Sequence, residues 1–348
     1  MMREETKYFY LDYPIDFAFK KRLKVLRKAV KYKVYELSDR FWGIMNKQTS
    51  TDKRYKVCLC AIFKDEGEFL KEWLEYHMIV GVEHFYLYNN DSSDNYLDIL
   101  EPYIKKGIVT LIDWPGSCQQ IKAYKNAIRT YSAEAKWLGF IDIDEFVVPI
   151  DRDNIYDILK PFDNRASAVL IYWKMFGSSG LIERQRGKLV TEQFIMAWPK
   201  MTDIGKCFYN TDYEFDFDLK RNNGMHHSLW CRCKSNKHVR PPLNVQNHIS
   251  FHEYNVIRNL TLPIQINHYV TKSYCDWGYK ANVKSDVFYE KNPRSVDYIA
   301  SVDQRCTVPD YSIYKYILRL KKAMREDASV QGNPVWDSFD GPKIDAVI

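Results

Sequence analysis

The chain has 348 residues, of which 46% are hydrophobic, 15% aromatic and 28% charged. This is the composition of a globular protein with one or two domains and a large core, and it excludes a disordered tail or a fibre. Its 51 basic and 45 acidic side chains leave a net charge of +6, which suits an anionic ligand or membrane surface but is too weak and dispersed for a nucleic-acid binder.

The first 51 residues are basic. Phe19, Leu23, Leu26, Val30, Val34, Leu37 and Phe41 recur at helical spacing, with Lys20, Lys21, Arg22, Lys24, Arg27, Lys28, Lys31 and Lys33 between them. Such a basic amphipathic helix is suited to lie on anionic lipid, or to pack on its own protein or on another copy. No apolar run approaches the ~18 residues that span a bilayer. The opening MMREETKYFYLDYPIDF lacks the order of a secretory signal. The expected location is therefore cytoplasmic, peripheral on the inner face of the membrane if the first helix binds lipid. The eight cysteines form no CxxC and no disulfide framework, so reduced and mostly buried thiols are expected.

After a polar linker at 46–54 the pattern alternates. Lys56–Phe63 reads as a buried strand, Asp65–Val80 as a helix stopped by Gly81, and Glu83–Tyr88 as a second strand. Asp94–Lys106 reads as a helix capped by Gly107, Ile108–Trp114 as a third strand, Gln119–Ala135 as a third helix and Trp137–Asp142 as a fourth strand. This alternation predicts an α/β fold, a mostly parallel sheet with helices on both faces, with ligands beyond the carboxyl ends of the strands. Further on, Ala168–Trp173 is a strand, Gly177–Gly180 a loop, and Ile313, Ile317, Leu320 and Met324 line a last amphipathic helix. The stretch from Asp203 to Asp218 carries no assignable pattern.

The sharpest local feature is FIDIDEF, Phe140 to Phe146. In an extended chain, residues two apart share a face, so Asp142 and Asp144 converge while Glu145 points elsewhere. Two hard oxygen ligands at the strand's end suit Mg²⁺ or Mn²⁺ with a diphosphate. A zinc reading of His226, His227, Cys231, Cys233 and His238 is weaker, because their spacing is not that of a finger or ribbon.

With these pieces in hand, a resemblance emerges. KDEGEFLKEWLEYHMIVGVEHFYLYNNDSSDN, the Gln119–Gln120 helix and WLGFIDIDEFVVP are similar to glycosyltransferases of the GT-A fold, in particular family 92 and the related bacterial family 2-like enzymes. FGSSG, LVTEQF and INHYVTKSYCDWGYK extend the likeness from about Tyr55 to Lys284. The resemblance implies a GT-A domain over 55–290; outside it lie the basic helical extension, 1–51, and a C-terminal helical extension, 291–348. It implies that Asp65 or Glu66 contacts the nucleobase and that Asp94 or Asp91 approaches base or ribose. Gln120 and Asp142 would face the nucleotide, with Asp142, Asp144 and His268 on a Mn²⁺ or Mg²⁺ ion. Lys272 and Ser273 would face the diphosphate. Inverting transfer needs a base, for which Glu192 is favoured over Glu183 and Asp203. The stretch Lys200–Asn223 is longer and more acidic than the pattern and is expected to form an acceptor loop or lid.

The implied activity is metal-dependent transfer of a hexose, galactose being the first expectation, from a UDP-sugar to a glycan or glycolipid acceptor in surface polysaccharide synthesis. The alternatives are a nucleotidyltransferase using the same acidic site, or a non-catalytic membrane-associated scaffold with a relic site. No phosphate-binding GxxxxGK[ST] or GxGxxG and no GxSxG occurs.

Overall fold

The structure is a computed structural model. It describes residues 27, 30, 31, 33–41, 51–185, 187–202, 204–220, 222, 229–250, 262–283 and 298–326. Its strands are β1 (Tyr55–Phe63), β2 (His84–Asn89), β3 (Val109–Asp113), β4 (Ala135–Phe140), β5 (Glu145–Pro149), β6 (Ala168–Met175), β7 (Met196–Ala197), β8 (Gly205–Asn210), β9 (Glu214–Phe215), β10 (Cys231–Arg232), β11 (Val239–Arg240), β12 (Leu243–Asn244), β13 (Ile264–His268) and β14 (Val308–Pro309). Its helices are α1 (33–41), α2 (Gly67–Ile79), α3 (Tyr96–Lys105), α4 (Gln120–Tyr131), α5 (Ile155–Leu159), α6 (Val190–Gln193), α7 (Tyr274–Val283), α8 (Tyr298–Asp303) and α9 (Ile317–Glu326).

The main sheet runs β3-β2-β1-β4-β8-β6-β13-β5, with β12 also paired to β6. Strands β1 to β4 are parallel, β8 is antiparallel to both β4 and β6, β13 is parallel to β6, and β5 is antiparallel to β13. This is the expected α/β, GT-A type of sheet. It places the carboxyl ends of β1, β2, β4 and β13 and the amino ends of β5 and β8 along one edge, because the antiparallel strands begin where their neighbours finish.

Local chemistry explains the elements at that edge. In α2, Leu70, Trp73, Leu74 and His77 recur at i, i+3, i+4 and i+7 and are buried. The helix ends where Gly81 takes φ +94, so that Gly81 N–H reaches Met78 O and Val82 N–H reaches His77 O. The same arrangement closes α3 at Gly107, φ +70, through bonds to Ile104 O and Tyr103 O.

Two expectations are corrected. Part of the stretch Lys200–Asn223 is not a loop or lid: Gly205–Asn210 forms β8, buried along its length between β4 and β6. The fourth strand ends at Phe140, so Asp142 and Asp144 lie in a turn rather than on an extended strand. The thiol expectation holds: all eight cysteines are free, and of these Cys118 is half-buried, Cys275 is exposed and the rest are buried. The C-terminal segment packs back on the core, with Ile313, Tyr316 and Leu320 buried and Lys71 Nζ bonded to Met324 O at 2.9 Å. No described helix is long and apolar enough to cross a membrane.

Candidate active site

The acidic turn between β4 and β5 is fixed from below by α2. Trp73 Nε1–H donates to Asp142 O at 3.1 Å and Glu145 O at 2.9 Å, and Tyr76 Oη donates to Val147 O at 3.0 Å. His77 donates from Nδ1 to Trp73 O at 2.8 Å and accepts Val147 N–H on Nε2 at 3.2 Å, which settles its tautomer. The turn closes on itself through Glu145 N–H to Asp142 O at 3.1 Å and Asp142 N–H to Glu145 Oε2 at 3.1 Å. Tyr269 N–H then ties it to β13 by a 2.8 Å bond to Asp144 O.

This geometry changes which acids converge. Register pairs His268 with Glu145 directly across β13 and β5. His268 Nε2 lies 3.7 Å from Asp144 Oδ1 and 3.9 Å from Glu145 Oε1, and one ligand atom from each of Asp144, Glu145 and His268 falls within 4.8 Å of the other two. All three residues are buried. Among the described residues they form the one group of three or more His, Cys, Asp or Glu arranged to hold a metal ion. Glu145, expected to face away, therefore belongs to the cluster, because a turn does not keep the two-residue alternation of a strand. Asp142 stands beside it, its Oδ1 accepting from Gln120 Nε2 at 2.7 Å and Tyr124 Oη at 2.9 Å. Gln120, expected to face the nucleotide, starts α4 and lies beside this cluster.

Two lysines balance the acids. Lys206, on the strand that the sequence hid, places Nζ 2.7 Å from Asp142 Oδ2 and 3.5 Å from Glu145 Oε1. Lys280, on α7, donates to Asp144 Oδ2 at 2.5 Å and Val270 O at 3.3 Å. Burial acts first on every group here. It raises the Asp144 carboxyl, but Lys280, His268 and Lys272 outweigh it and hold that carboxyl well below the usual range. Burial lifts Glu145 well above the usual carboxylate range; Lys206 opposes this, while Asp142 and Asp144 reinforce it. Burial lowers His268 to about 4, so its imidazole is neutral and able to ligate at neutral pH. Asp142 and Glu145 overcome the burial of Lys206, and Asp144 that of Lys280, so both ammonium groups titrate above their usual value.

The second acidic cluster lies at the ends of β1 and β2. Asp65 Oδ1 accepts Ser93 N–H at 2.7 Å, and Asp94 Oδ2 accepts Gly67 N–H at 2.6 Å. A Cβ on Gly67 would sit 2.8 Å from that same oxygen, so only glycine lets the acid reach the start of α2. Asp91, the other acid considered in that turn, accepts Gly116 N–H at 2.9 Å. Lys272 links the two clusters. Its Nζ is 3.7 Å from Glu66 Oε2 and 3.7 Å from the centre of the Phe69 ring, and its charge reaches Asp144. Asp65 and Lys272 both adopt left-handed backbone, φ +49 and +51, a conformation concentrated at functional sites.

Other expected residues have partners within the protein. Ser273 makes a reciprocal cap at the start of α7: its N–H and Oγ–H donate to Asp276 Oδ2 at 3.1 and 2.6 Å, and Asp276 N–H donates to Ser273 Oγ at 3.2 Å. Glu192 Oε1 is ion-paired with Lys321 Nζ at 2.5 Å, in the C-terminal helix. Glu183 is exposed and accepts from Cys275 Sγ at 3.9 Å. Asp203, His226 and His227 lie outside the described residues. Cys231 and Cys233 are buried thiols whose pKa burial pushes up.

The residues fit a divalent cation and a polar ligand. Glu145 Oε1, His268 Nδ1, Gln120 Oε1, Asp94 Oδ1 and Thr271 Oγ1 are buried with no hydrogen-bond partner in the protein, a costly state that a bound ligand relieves. Two carboxylates and a neutral imidazole are a donor set that can hold a divalent cation, and added positive charge is what Glu145 needs to ionise beside two other acids.

A GT-A type sheet with an acidic turn, a histidine and lysines at its carboxyl edge is consistent with a glycosyltransferase. The family model for glycosyltransferase family 92 matches residues 53–306, and the chain belongs to that family. Curated relatives include family 92 proteins of Ricinus communis, 31% identical over 134 residues, and of Oryza sativa subsp. japonica, 28% identical over 131 residues. Each match covers 37% of this chain, and 24% and 22% of the relatives' own lengths. Among solved structures, S. aureus TarS 1-349 in complex with UDP is similar over 47% of this chain and 51% of its own, at TM-score 0.32 and 17% identity. The same protein in complex with UDP-GlcNAc gives 46%, 48%, 0.30 and 17%.

Proposed function

We propose that this enzyme transfers a hexose from a UDP-sugar to a hydroxyl of a glycan or glycolipid, by single displacement with inversion, using a divalent cation. The observation that carries this reading is the buried convergence of Asp144, Glu145 and His268 at the edge where Lys272 and Lys280 also point. Departure of a nucleoside diphosphate builds negative charge on its terminal phosphate, and stabilising that charge as it forms lowers the barrier. Asp144, Glu145 and His268 would hold Mn²⁺ or Mg²⁺, with Asp142 beside them; the ion would supply Lewis-acid stabilisation of the diphosphate.

The protein's own groups do the rest. Lys272 and Lys280 supply ammonium groups near the acidic turn, and both can turn from a carboxylate to a phosphate oxygen as charge develops there. Asp65 and Asp94, held by backbone N–H groups, would face the base or ribose. Gln120 and Tyr124 keep Asp142 oriented.

The test is a panel of UDP-, GDP- and CMP-sugars with and without Mn²⁺. Mn²⁺-stimulated release of UDP from a UDP-hexose supports the reading. Pyrophosphate release from a nucleoside triphosphate would instead indicate nucleotidyl transfer. Folded protein that turns over no donor and binds none would leave the scaffold reading in its place.

A further inference from the structure

The helix α1 docks on the protein by what would ordinarily be its outer side. Asp39 and Glu36 are buried, and Asp39 makes a two-pronged ion pair with Arg240, at 2.7 Å to Nε and 2.9 Å to Nη2. Glu36 Oε1 lies 3.9 Å from His248 Nδ1, and Tyr35 meets Trp230 edge-on with ring centres 5.7 Å apart. The apolar stripe of the same helix faces away: Val30 is 57% exposed, Val34 61%, Leu37 67% and Phe41 59%. An amphipathic helix that serves only its own core has the opposite orientation.

The rims of this stripe are cationic. At 100° per residue, exposed Arg27 and Lys31 lie on one side of it, and Lys33 and Arg40 on the other. From residue 20 to residue 40 the sequence has nine Lys and Arg against two acids, and those two are the ones turned inward. In the sequence the apolar spacing continues back through Leu26, Leu23 and Phe19.

We propose that this face of α1 lies in the headgroup region of an anionic bilayer, with Val34, Leu37 and Phe41 in the acyl boundary and the flanking cations on acidic headgroups. Charge complementarity selects this occupant. A second copy stacked stripe to stripe would bring two rows of like charge together. An anionic lipid surface offers an apolar layer bounded by negative charge, the complement of what α1 displays.

The experiment uses the full chain and co-sedimentation with vesicles of phosphatidylcholine containing about a third phosphatidylglycerol. The wild type should bind these, bind pure phosphatidylcholine weakly, and be released by high salt. The double variant Leu37→Glu/Phe41→Glu should lower the bound fraction roughly tenfold, and Leu37→Gln/Phe41→Gln should lower it less, with Mn²⁺ binding and thermal unfolding unchanged in both. Equal binding to neutral and anionic vesicles, equal binding by wild type and both variants, or no binding by the wild type overturns the proposal. So does a wild-type dimer that the variants dissociate while vesicles bind nothing. Each readout is independent of donor turnover.

Discussion

The two acidic clusters at the sheet edge are neutralised in different ways. Asp65 and Asp94 are held by the backbone N–H groups of Ser93 and Gly67, which belong to the turns themselves. Asp142 and Asp144 are held by ammonium groups on long stems, Lys206 and Lys280. Backbone dipoles are fixed in place and preorganised, so the first cluster is a rigid cradle for a hydrogen-bonding ligand. A lysine can swing from carboxylate to phosphate or yield to a cation, so the second cluster can exchange charge during a reaction.

Breaking the exchangeable cluster gives the largest effect. Asp144→Asn keeps the shape but removes the charge facing His268 and Lys280; turnover with Mn²⁺ and a UDP-sugar should fall by roughly 10³ or more, about 4 kcal/mol, measured as initial rates of UDP release. Retention of the wild-type rate would move the chemistry elsewhere. Lys206→Met should act on stability, because it leaves Asp142 and Glu145 without their cation. Loss of one member of a buried pair costs about 3–5 kcal/mol, and the partial exposure of Asp142 favours the lower end. Urea denaturation measures this, and an unchanged midpoint would mean that the pair contributes nothing.

The support beneath the turn titrates. Burial lowers His77 to about 3 against an ordinary value of 6.5, so the unfolded chain takes up a proton that the native state refuses. Stability from this residue is therefore complete above pH 6.5 and declines as pH falls toward 3, at up to about 1.4 kcal/mol per unit. His77→Phe should flatten that part of the profile at the cost of the Val147 bond; a variant with the wild-type slope would assign the acid sensitivity to other groups.

The rigid cradle should respond more gently. Asp94→Ala removes an acceptor from Gly67 N–H and should cost about 1 kcal/mol of stability and roughly fivefold in nucleotide affinity by calorimetry. No change in affinity would detach this cluster from the nucleotide. The smallest effect is expected at Glu192, whose carboxylate is engaged with Lys321. Glu192→Gln should change turnover by less than about threefold, whereas a loss of roughly 10² or more would make it the acceptor base.

What could be read from the sequence followed the range of the interactions. The β1 to β4 half was legible because its signals are local: the helical spacing in α2, and Gly81 and Gly107 closing two helices. Short motifs drew attention to Asp142, Asp144, His268 and Lys272, of which Asp144 and His268 converge with Glu145. Glu145 was misdirected because strand alternation was extended one turn too far. Lys206 was missed because β8 sits in an acidic, tyrosine-rich stretch and gains its place only from neighbours β4 and β6, which are distant in the chain. Lys280 had a signal that went unused: it is eight residues beyond Lys272, where a helix started by the Ser273–Asp276 cap carries it back toward the turn. The inward orientation of Asp39 depends on Arg240, a partner 201 residues away.

The central claim is that Asp144, Glu145 and His268 together hold one divalent cation beneath a nucleoside diphosphate. Electron paramagnetic resonance of Mn²⁺ added with UDP tests it most directly. The wild type should bind the ion with a nitrogen coupling that disappears in His268→Ala, and Asp144→Asn should bind it far more weakly. An identical Mn²⁺ spectrum and affinity in all three proteins would contradict the account.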